Sequence, residues 1–171
     1  MSGKSNSGKG TLAVQLENLL KIKNKHVIRC SLSTYIRKLA KDDFYWNGID
    51  TLESRIFMGE VYRAGTDFYP YHMARRVWER DIEPFSRTYK VAIVESFREK
   101  VNYEYFKILL DNKIINKIIT IRVVRPNFNA IQNEEHENHV SESDLDDFEF
   151  DYIIENNGTI EELDEKLKEL F

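Results

Sequence analysis

The stretch from Gly3 to Thr11 constrains the fold more than any other part of the chain. It reads Gly-Lys-Ser-Asn-Ser-Gly-Lys-Gly-Thr and contains the spacing G-x-x-x-x-G-K of a phosphate-binding loop. In such a loop successive backbone N–H groups point inward at phosphate oxygens, so side chains must be absent at Gly3 and Gly8. A helix has to begin directly after the loop, because its N-terminal dipole then faces the anion.

The helix that the loop requires is visible in the sequence, since the leucines between 9 and 23 fall on one face of a helical repeat. Lys9 is expected to bridge the β and γ phosphates of a nucleoside triphosphate, and Thr11 to offer its hydroxyl to Mg²⁺. We therefore expect ATP and Mg²⁺ as ligands. The residues expected to hold the triphosphate are Gly3, Ser5, Asn6, Ser7, Gly8, Lys9, Gly10 and Thr11. An ordinary Gly/Ser turn before an amphipathic helix is the alternative.

Beyond the loop, segments with strand patterns and helix patterns alternate. The apolar runs that predict strands are 26–30, 90–95, 114–124 and 150–154, and the helical patterns are 34–41, 50–63, 71–82, 102–111 and 160–170. Ser31 and Ser33 are expected to cap the helix at 34. This alternation predicts a three-layer α/β domain over residues 1–171, with a mostly parallel sheet of about five strands. The run 90–95 is expected to lie inside that sheet, buried on both faces.

A strand is also expected before the loop. In folds of this kind the loop connects a central parallel strand to its helix, but only Met1 and Ser2 precede Gly3 in the sequence. Two residues cannot span a strand of about five. The expectation is that the first strand is truncated here, and that the natural product carries roughly five to eight mainly β-branched or apolar residues further upstream.

Three side chains near predicted strand ends are candidates for the remaining chemistry. Glu95 ends an apolar strand at the carboxyl edge, where ligands bind in open α/β sheets, and is expected to hold Mg²⁺ through water together with Thr11. Arg37 and Arg98 can each form fork-like contacts to a phosphate, which a phosphoryl-transferring enzyme needs on its acceptor side. A solvated carboxylate and surface ion pairs are the alternatives for these residues.

The loop resembles that of adenylate kinase and related nucleoside monophosphate kinases, because Gly10 separates Lys9 from Thr11 in a G-K-G-T variant. Segments 33–37, Ser-Thr-Tyr-Ile-Arg, and 95–98, Glu-Ser-Phe-Arg, resemble the acceptor-binding helix and the strand-end arginine of those kinases. In detail the chain is most similar to phage-type deoxynucleoside monophosphate kinases, at 65–67 (Gly-Thr-Asp), 139–142 (His-Val-Ser-Glu) and 151–159 (Asp-Tyr-Ile-Ile-Glu-Asn-Asn-Gly-Thr).

The resemblance implies an ATP-dependent transfer of a phosphoryl group to a nucleoside monophosphate, with an acceptor-binding helical insertion at about 31–88 and a lid-like loop at about 126–149. Arg37, Arg63, Arg75 and Arg98 are the expected acceptor-binding residues. Arg125, at the start of the lid, is expected to act on the transferring group together with Lys9 and Arg98.

Composition narrows the class of protein and its partners. A net charge of −4 argues against a duplex-binding face, and no apolar run approaches the roughly 18 residues of a membrane-spanning helix. Cys30 is the only cysteine, which excludes an internal disulfide and favours a reducing cytosol. His136 and His139, within an acidic stretch, are expected to belong to a solvated loop and not to a metal site. The expected partners are small nucleotides, without nucleic acid or membrane, for a cytoplasmic monomer or homodimer.

Two alternatives remain open at this stage. Another P-loop kinase acting on a different small metabolite would share the same donor site. A nucleotide-binding switch or a catalytically dead binding protein is the other possibility. A GTPase switch needs a guanine-reading Asn-Lys-x-Asp segment, and Asn24-Lys25-His26-Val27 lacks the aspartate.

Overall fold

The computed structural model describes residues 1–4, 7–126 and 144–171. The helices are α1 (Lys9–Ile22), α2 (Thr34–Asp42), α3 (Leu52–Phe68), α4 (His72–Val77), α5 (Lys100–Asp111) and α6 (Ile160–Leu170). The strands are β1 (Val27–Ser31), β2 (Val91–Glu95), β3 (Ile121–Val124) and β4 (Tyr152–Glu155). After α4 the chain continues through a π-helical turn, Trp78–Ile82, and a 3₁₀ turn, Glu83–Phe85.

The strands form two separate parallel pairs. β1 pairs with β2, with Val27 opposite Val91, and β3 pairs with β4, with Ile121 opposite Tyr152. Between the pairs, Ser2 makes a single parallel bridge to Arg122. The expected sheet of about five strands is therefore wrong for the described residues, which hold two sheets of two strands each. The order in space is β1, β2, Ser2, β3, β4.

Helices cover both sides of the strands and make two cores. On one side α1 and α6 pack on the sheets through the predicted leucine face, and the buried residues include Leu12, Leu16, Ile93, Val123 and Leu167. On the other side α4, its π-helical extension and α5 form a second core around Met73, Trp78, Phe97 and Leu109. This arrangement is three-layered, as the alternation of strands and helices predicts.

The helix boundaries follow local signals in the sequence. Thr51 and Thr159 are N-caps of α3 and α6, and each forms a capping box with the residue three positions later. α1 ends at Ile22 because Asn24 adopts a left-handed conformation with φ of 57°, which turns the chain toward β1. Ser33 is the N-cap residue of α2, but its side chain makes no capping hydrogen bond. The prediction that this serine caps the helix through its hydroxyl is therefore wrong.

Two predicted strand segments differ from the structure. Only the last four residues of the run 114–124 form a strand, and Ile114 and Ile119 are exposed. In β2 only Ile93 is buried, whereas Ala92 is exposed, so this strand is not enclosed on both faces. The physical reason is that β2 has a strand partner on one side only along most of its length.

Helices α2, α3 and α4 lie between β1 and β2, in the segment predicted to bind the acceptor. Most of the predicted lid, including His136, His139 and the segment 139–142, lies outside the described residues. Its described end is anchored to the second core. Leu145 is buried there, and Asp144 accepts a hydrogen bond from the backbone N–H of Lys100 at 2.7 Å.

Candidate active site

The phosphate loop has the backbone that its glycines predict. Gly8 is the N-cap of α1 in a left-handed conformation with φ of 93°, and Gly3 has φ of 146°. A Cβ atom on Gly3 would lie 2.3 Å from the carbonyl oxygen of Val123 and 2.7 Å from Ser7 Oγ. A Cβ on Gly8 would lie 2.1 Å from Asn156 Nδ2. Both positions therefore favour glycine for conformation, and Gly3 requires it for space as well, because the atom that its Cβ would meet belongs to the backbone.

These contacts give a prediction for the loop. Gly8→Ala should lower the free energy of unfolding by about 2 kcal/mol, because the new Cβ strains a left-handed residue and displaces the Asn156 amide. Gly10→Ala is the matched control, since its Cβ would lie an ordinary 3.9 Å from Glu95 Oε2 within a helix. We expect the control to be neutral or stabilising in urea unfolding. Equal destabilisation by both changes would contradict the assigned loop geometry.

Lys9 lies half-buried inside the loop. Its Nζ donates hydrogen bonds of 2.6 Å to the carbonyl oxygens of Gly3 and Lys4. Burial, followed by the nearby charge of Arg98, lowers the pKa of Lys9 to about 8, while Glu95 acts in the opposite direction. The ammonium is thus held among carbonyl dipoles and close to another cation, a setting in which an anionic ligand would be favoured.

Other polar atoms of the loop also fit a phosphate ligand. Ser7 is buried, and its Oγ has no hydrogen-bond partner among the described residues. Asn156, in the loop after β4, donates from Nδ2 to the carbonyl oxygen of Ser7 at 2.9 Å and fixes the loop from outside. Ser5 and Asn6, which the sequence also assigns to the triphosphate, lie outside the described residues. The orphaned hydroxyl and the two side-chain-free positions form a cradle that suits phosphate oxygens.

Glu95 ends β2 beside the first turn of α1. Its Oε2 faces Gly10, the neighbour of Thr11, and its Oε1 accepts a 2.9 Å hydrogen bond from Arg29. Arg29 also donates to Glu17 at 2.9 Å. Thr11 is exposed in the first turn of α1. Glu95 and Thr11 thus offer oxygen ligands of the type that Mg²⁺ takes, although Arg29 holds one oxygen of the carboxylate.

Positively charged side chains lie near the carboxyl end of β2. Arg98 follows the end of β2 closely in the chain. Its burial, and to a smaller extent the charges of Arg37 and Arg55, lower the pKa of Arg98. We name Arg37, Arg55 and Arg98 the arginine cluster. Arg55 forms a fork-like pair with Asp50 through hydrogen bonds of 2.9 and 2.8 Å, and Arg37 lies over the Trp46 ring at 5.7 Å. Arginines close enough to lower the pKa of Arg98, with Asp50 and Tyr62 acting in the opposite direction, make this edge a candidate anion-binding site.

Hydroxyl groups lie at the same edge of the strands. The Oγ atoms of Ser31, Ser33 and Ser96 are 2.9 to 3.2 Å from one another. Ser96 has φ of 62°, an uncommon conformation for a residue other than glycine. Ser33, predicted as a helix cap, therefore uses its hydroxyl in this cluster. Strained backbone and converging hydroxyls frequently occur at functional sites.

The other predicted arginines, Arg63, Arg75 and Arg125, are not members of the arginine cluster. Arg63, on α3, pairs with Glu60 at 3.3 Å, and its charge acts on Glu99, the neighbour of Arg98. Arg75 is exposed, pairs with Glu79 at 2.7 Å and lies over the Tyr69 ring, so the structure does not bring it to the arginine cluster. Arg125 is exposed directly after the end of β3.

Two residues of the site, Arg55 and Asn156, were given no role by the sequence. The available signal for Arg55 was its position in the predicted acceptor-binding segment 31–88. Asn156 lies in the segment 151–159 that resembles the phage-type kinases, but its role could not be predicted because its contact with Ser7 joins residues 149 positions apart. In the described part of the chain no group of three or more His, Cys, Asp or Glu side chains is placed to hold a metal ion. Among the described helices none has the length and apolarity needed to cross a membrane.

Comparisons with known proteins place the fold. No family model matches the sequence, and no curated protein matches it. Among solved structures, a variant of the APS kinase of Mycobacterium tuberculosis superimposes with a TM-score of 0.53 at 11% sequence identity. The match covers 99% of this chain and 92% of that one. At this identity the likeness shows the fold alone: the chain has an α/β fold similar to that of a P-loop kinase.

Proposed function

We propose that the protein is a nucleoside monophosphate kinase, with preference for deoxynucleotides, that transfers the γ-phosphoryl group of ATP. One observation carries the proposal: Lys9 lies inside the phosphate loop, with its Nζ bonded to the carbonyl oxygens of Gly3 and Lys4, and close enough to the strand-end Arg98 that this charge, after burial, lowers the pKa of Lys9. Two cationic sites, one in a phosphate loop and one at a strand end, therefore lie near each other. That is the arrangement needed to bring two phosphate groups together.

The donor half of the site consists of the loop and the first turn of α1. Gly3 and Gly8 leave the loop backbone open, and Lys9 can exchange its two carbonyl contacts for phosphate oxygens. Thr11 and Glu95 would hold Mg²⁺, which when bound neutralises charge on the β and γ phosphates. The protein side of this half supplies position and positive charge, and it requires no covalent intermediate.

The acceptor half is the arginine cluster. Arg98 and Arg37 are assigned to the monophosphate, and we add Arg55 to this group because its charge acts on Arg98. Planar guanidinium groups bind phosphate through paired N–H donors, so they fix both the distance and the direction of the acceptor. Arg63 and Arg125 are proposed to act at the margin of the site, and Arg75 is the least supported of the acceptor residues, because it pairs with Glu79 away from the cluster.

A second candidate is a P-loop kinase for another small metabolite, which the likeness to an APS kinase favours. An acceptor panel separates the two. The purified protein, ATP and Mg²⁺ are incubated with each common ribo- and deoxynucleoside monophosphate, and ADP formation is followed in a coupled assay. The proposal expects acceptor-dependent turnover with at least one monophosphate and a preference for a deoxynucleotide. Turnover with none of them would overturn it and favour the second candidate or a catalytically dead binding protein.

The lowered pKa of Lys9 predicts how donor binding depends on pH. Bound phosphates favour the ammonium form, so the pKa of Lys9 must be higher in the complex than the value of about 8 in the free protein. ATP affinity should therefore be highest below about pH 8 and fall as the pH rises through this value, by up to about tenfold per unit. Nucleotide titrations across this range measure it. The Lys9→Ala variant should lack this part of the dependence, and an unchanged profile in that variant would contradict the assignment.

A further inference from the structure

Arg29 joins two carboxylates that belong to different elements of the fold. It lies in β1, and its Nε donates a 2.9 Å hydrogen bond to Oε2 of Glu17 in α1. Its Nη1 donates a second bond, also of 2.9 Å, to Oε1 of Glu95 at the end of β2. One guanidinium therefore links both strands of the pair to the helix that follows the phosphate loop.

The alternation of side chains along the strands explains why Arg29 can reach both carboxylates. Arg29 lies opposite Ile93 in the strand pair, and Ile93 belongs to the core that α1 covers. Glu95 follows Ile93 by two positions and so lies on the same face of the strands. Glu17 follows Gly10 by two helical turns, which places both on one side of α1. The guanidinium thus lies between the strands and this side of the helix.

The two oxygens of Glu95 have different surroundings. Oε1 accepts the bond from Arg29, whereas Oε2 faces the first turn of α1, where a Cβ on Gly10 would lie 3.9 Å from it. Thr11 is the next residue of that turn. Mg²⁺ takes carboxylate and hydroxyl oxygens as ligands, directly or through water. The bond to Arg29 therefore engages the oxygen of Glu95 that is not directed at the proposed metal position.

This link restricts a side chain that would otherwise have several conformations. A glutamate has three rotatable side-chain bonds, so an unrestrained carboxylate at position 95 would be distributed over several rotamers. The guanidinium is planar and makes its bonds in fixed directions, so its bond to Glu17 also limits where Glu95 can lie. Burial opposes the charge of Arg29, but the bonds to Glu17 and Glu95 outweigh it and raise the pKa of Arg29. The link is therefore ionic at every physiological pH.

We propose that Arg29 is a positioning residue for the donor's metal: anchored by Glu17, it holds the Glu95 carboxylate so that Oε2 faces the first turn of α1. The inference rests on the donor half of the proposed function. Hydrogen-bond partners orient metal-ligating carboxylates, and their loss typically lowers metal affinity by roughly 10- to 100-fold. Arg29 acts through Glu95 and not on the nucleotide itself.

Charge repulsion alone predicts the opposite effect. A cation near a metal site disfavours Mg²⁺, so removal of Arg29 would strengthen Mg²⁺ binding if only its charge mattered. Positioning predicts that the same removal weakens Mg²⁺ binding, because Glu95 then loses its fixed direction. The sign of the change in affinity therefore separates the two effects.

The test measures the affinity of the protein for ADP by titration calorimetry, once with Mg²⁺ and once in a chelator. Arg29→Gln should lower the affinity for MgADP by about tenfold and change that for metal-free ADP by less than about twofold. Glu17→Gln, which removes the anchor of the guanidinium, should lower the affinity for MgADP by about threefold. Lys21→Gln is the charge control, because Lys21 pairs with Glu17 at 2.6 Å but makes no bond to Glu95. It should leave both affinities within about twofold.

Unchanged or higher affinity for MgADP in Arg29→Gln would overturn the proposal. An equal loss of affinity for metal-free ADP would also overturn it, because the role of Arg29 would then be structural. Arg29→Lys keeps the charge without the planar fork, so full recovery of MgADP affinity in this variant would contradict positioning. The titrations require neither acceptor nor turnover. Turnover in the acceptor panel without the expected loss in Arg29→Gln would overturn this inference alone, whereas absence of ADP binding would overturn the donor site together with it.

Discussion

The Lys9→Ala variant is expected to lose phosphoryl transfer, with kcat/KM lower by at least about 100-fold, while it keeps its fold. The ammonium of Lys9 lies inside the phosphate loop, where its Nζ bonds the carbonyl oxygens of Gly3 and Lys4, whereas the Lys4 side chain is exposed. Without this ammonium, the negative charge of the donor phosphates is no longer balanced by Lys9 inside the loop.

Stability should not fall in this variant. Burial in the folded protein lowers the pKa of Lys9 from 10.5 to about 8. Below pH 8 the side chain is charged in both the folded and the unfolded protein, so the folded protein carries the full cost of the buried charge. Removing the side chain removes this penalty along with two hydrogen bonds. Lys21→Ala is the matched control on the same helix, because Lys21 forms only an exposed ion pair with Glu17. Near-normal turnover in Lys9→Ala, or an equal loss in both variants, would contradict the phosphate-loop assignment.

Arg98→Ala is expected to weaken use of the acceptor by about 100-fold in kcat/KM and to leave ATP affinity within about twofold. Arg98 belongs to the arginine cluster, which is assigned to the monophosphate, and its loss should raise the pKa of Lys9 and so preserve the charge that holds ATP. Separate titrations of donor and acceptor at about pH 7 distinguish the two effects.

The control for Arg98 is Arg87→Ala, an exposed arginine in the turn before β2. It changes the net charge equally and should leave both affinities unchanged. Loss of ATP affinity with normal acceptor affinity in Arg98→Ala would reverse the assignment and place this arginine on the donor side.

Local sequence patterns predicted most of the elements and the donor loop. The leucine spacing of α1 and the Thr159 capping box of α6 are strong, short-range signals, and both helices begin and end within a residue of the prediction. The positive φ values of Gly3 and Gly8 follow from what a phosphate loop requires of its backbone. Signals of this kind depend on residues a few positions apart, so they can be read without knowledge of the tertiary fold.

Strand neighbours and cleft-facing arginines could not be predicted in the same way. The apolar run of β2 indicates a strand, but its composition does not say which strands lie beside it, and Ala92 is exposed in the structure. Arg55 and Arg75 look alike in sequence, since each lies on a helix with an acidic partner nearby. Only the tertiary packing, in which α3 contacts α2 and α4, brings Arg55 to the cluster and leaves Arg75 at the surface.

Transfer of radioactive phosphate from ATP labelled at the γ position tests the central claim most directly. The protein is incubated with labelled ATP, Mg²⁺ and the best acceptor from the panel, and the products are separated by chromatography. We predict that the label appears in the nucleoside diphosphate formed from the acceptor, one for each ADP released, and that neither Lys9→Ala nor Arg98→Ala forms it at a comparable rate. Label that appears only as inorganic phosphate, or ATP that remains intact with every acceptor, would contradict the account.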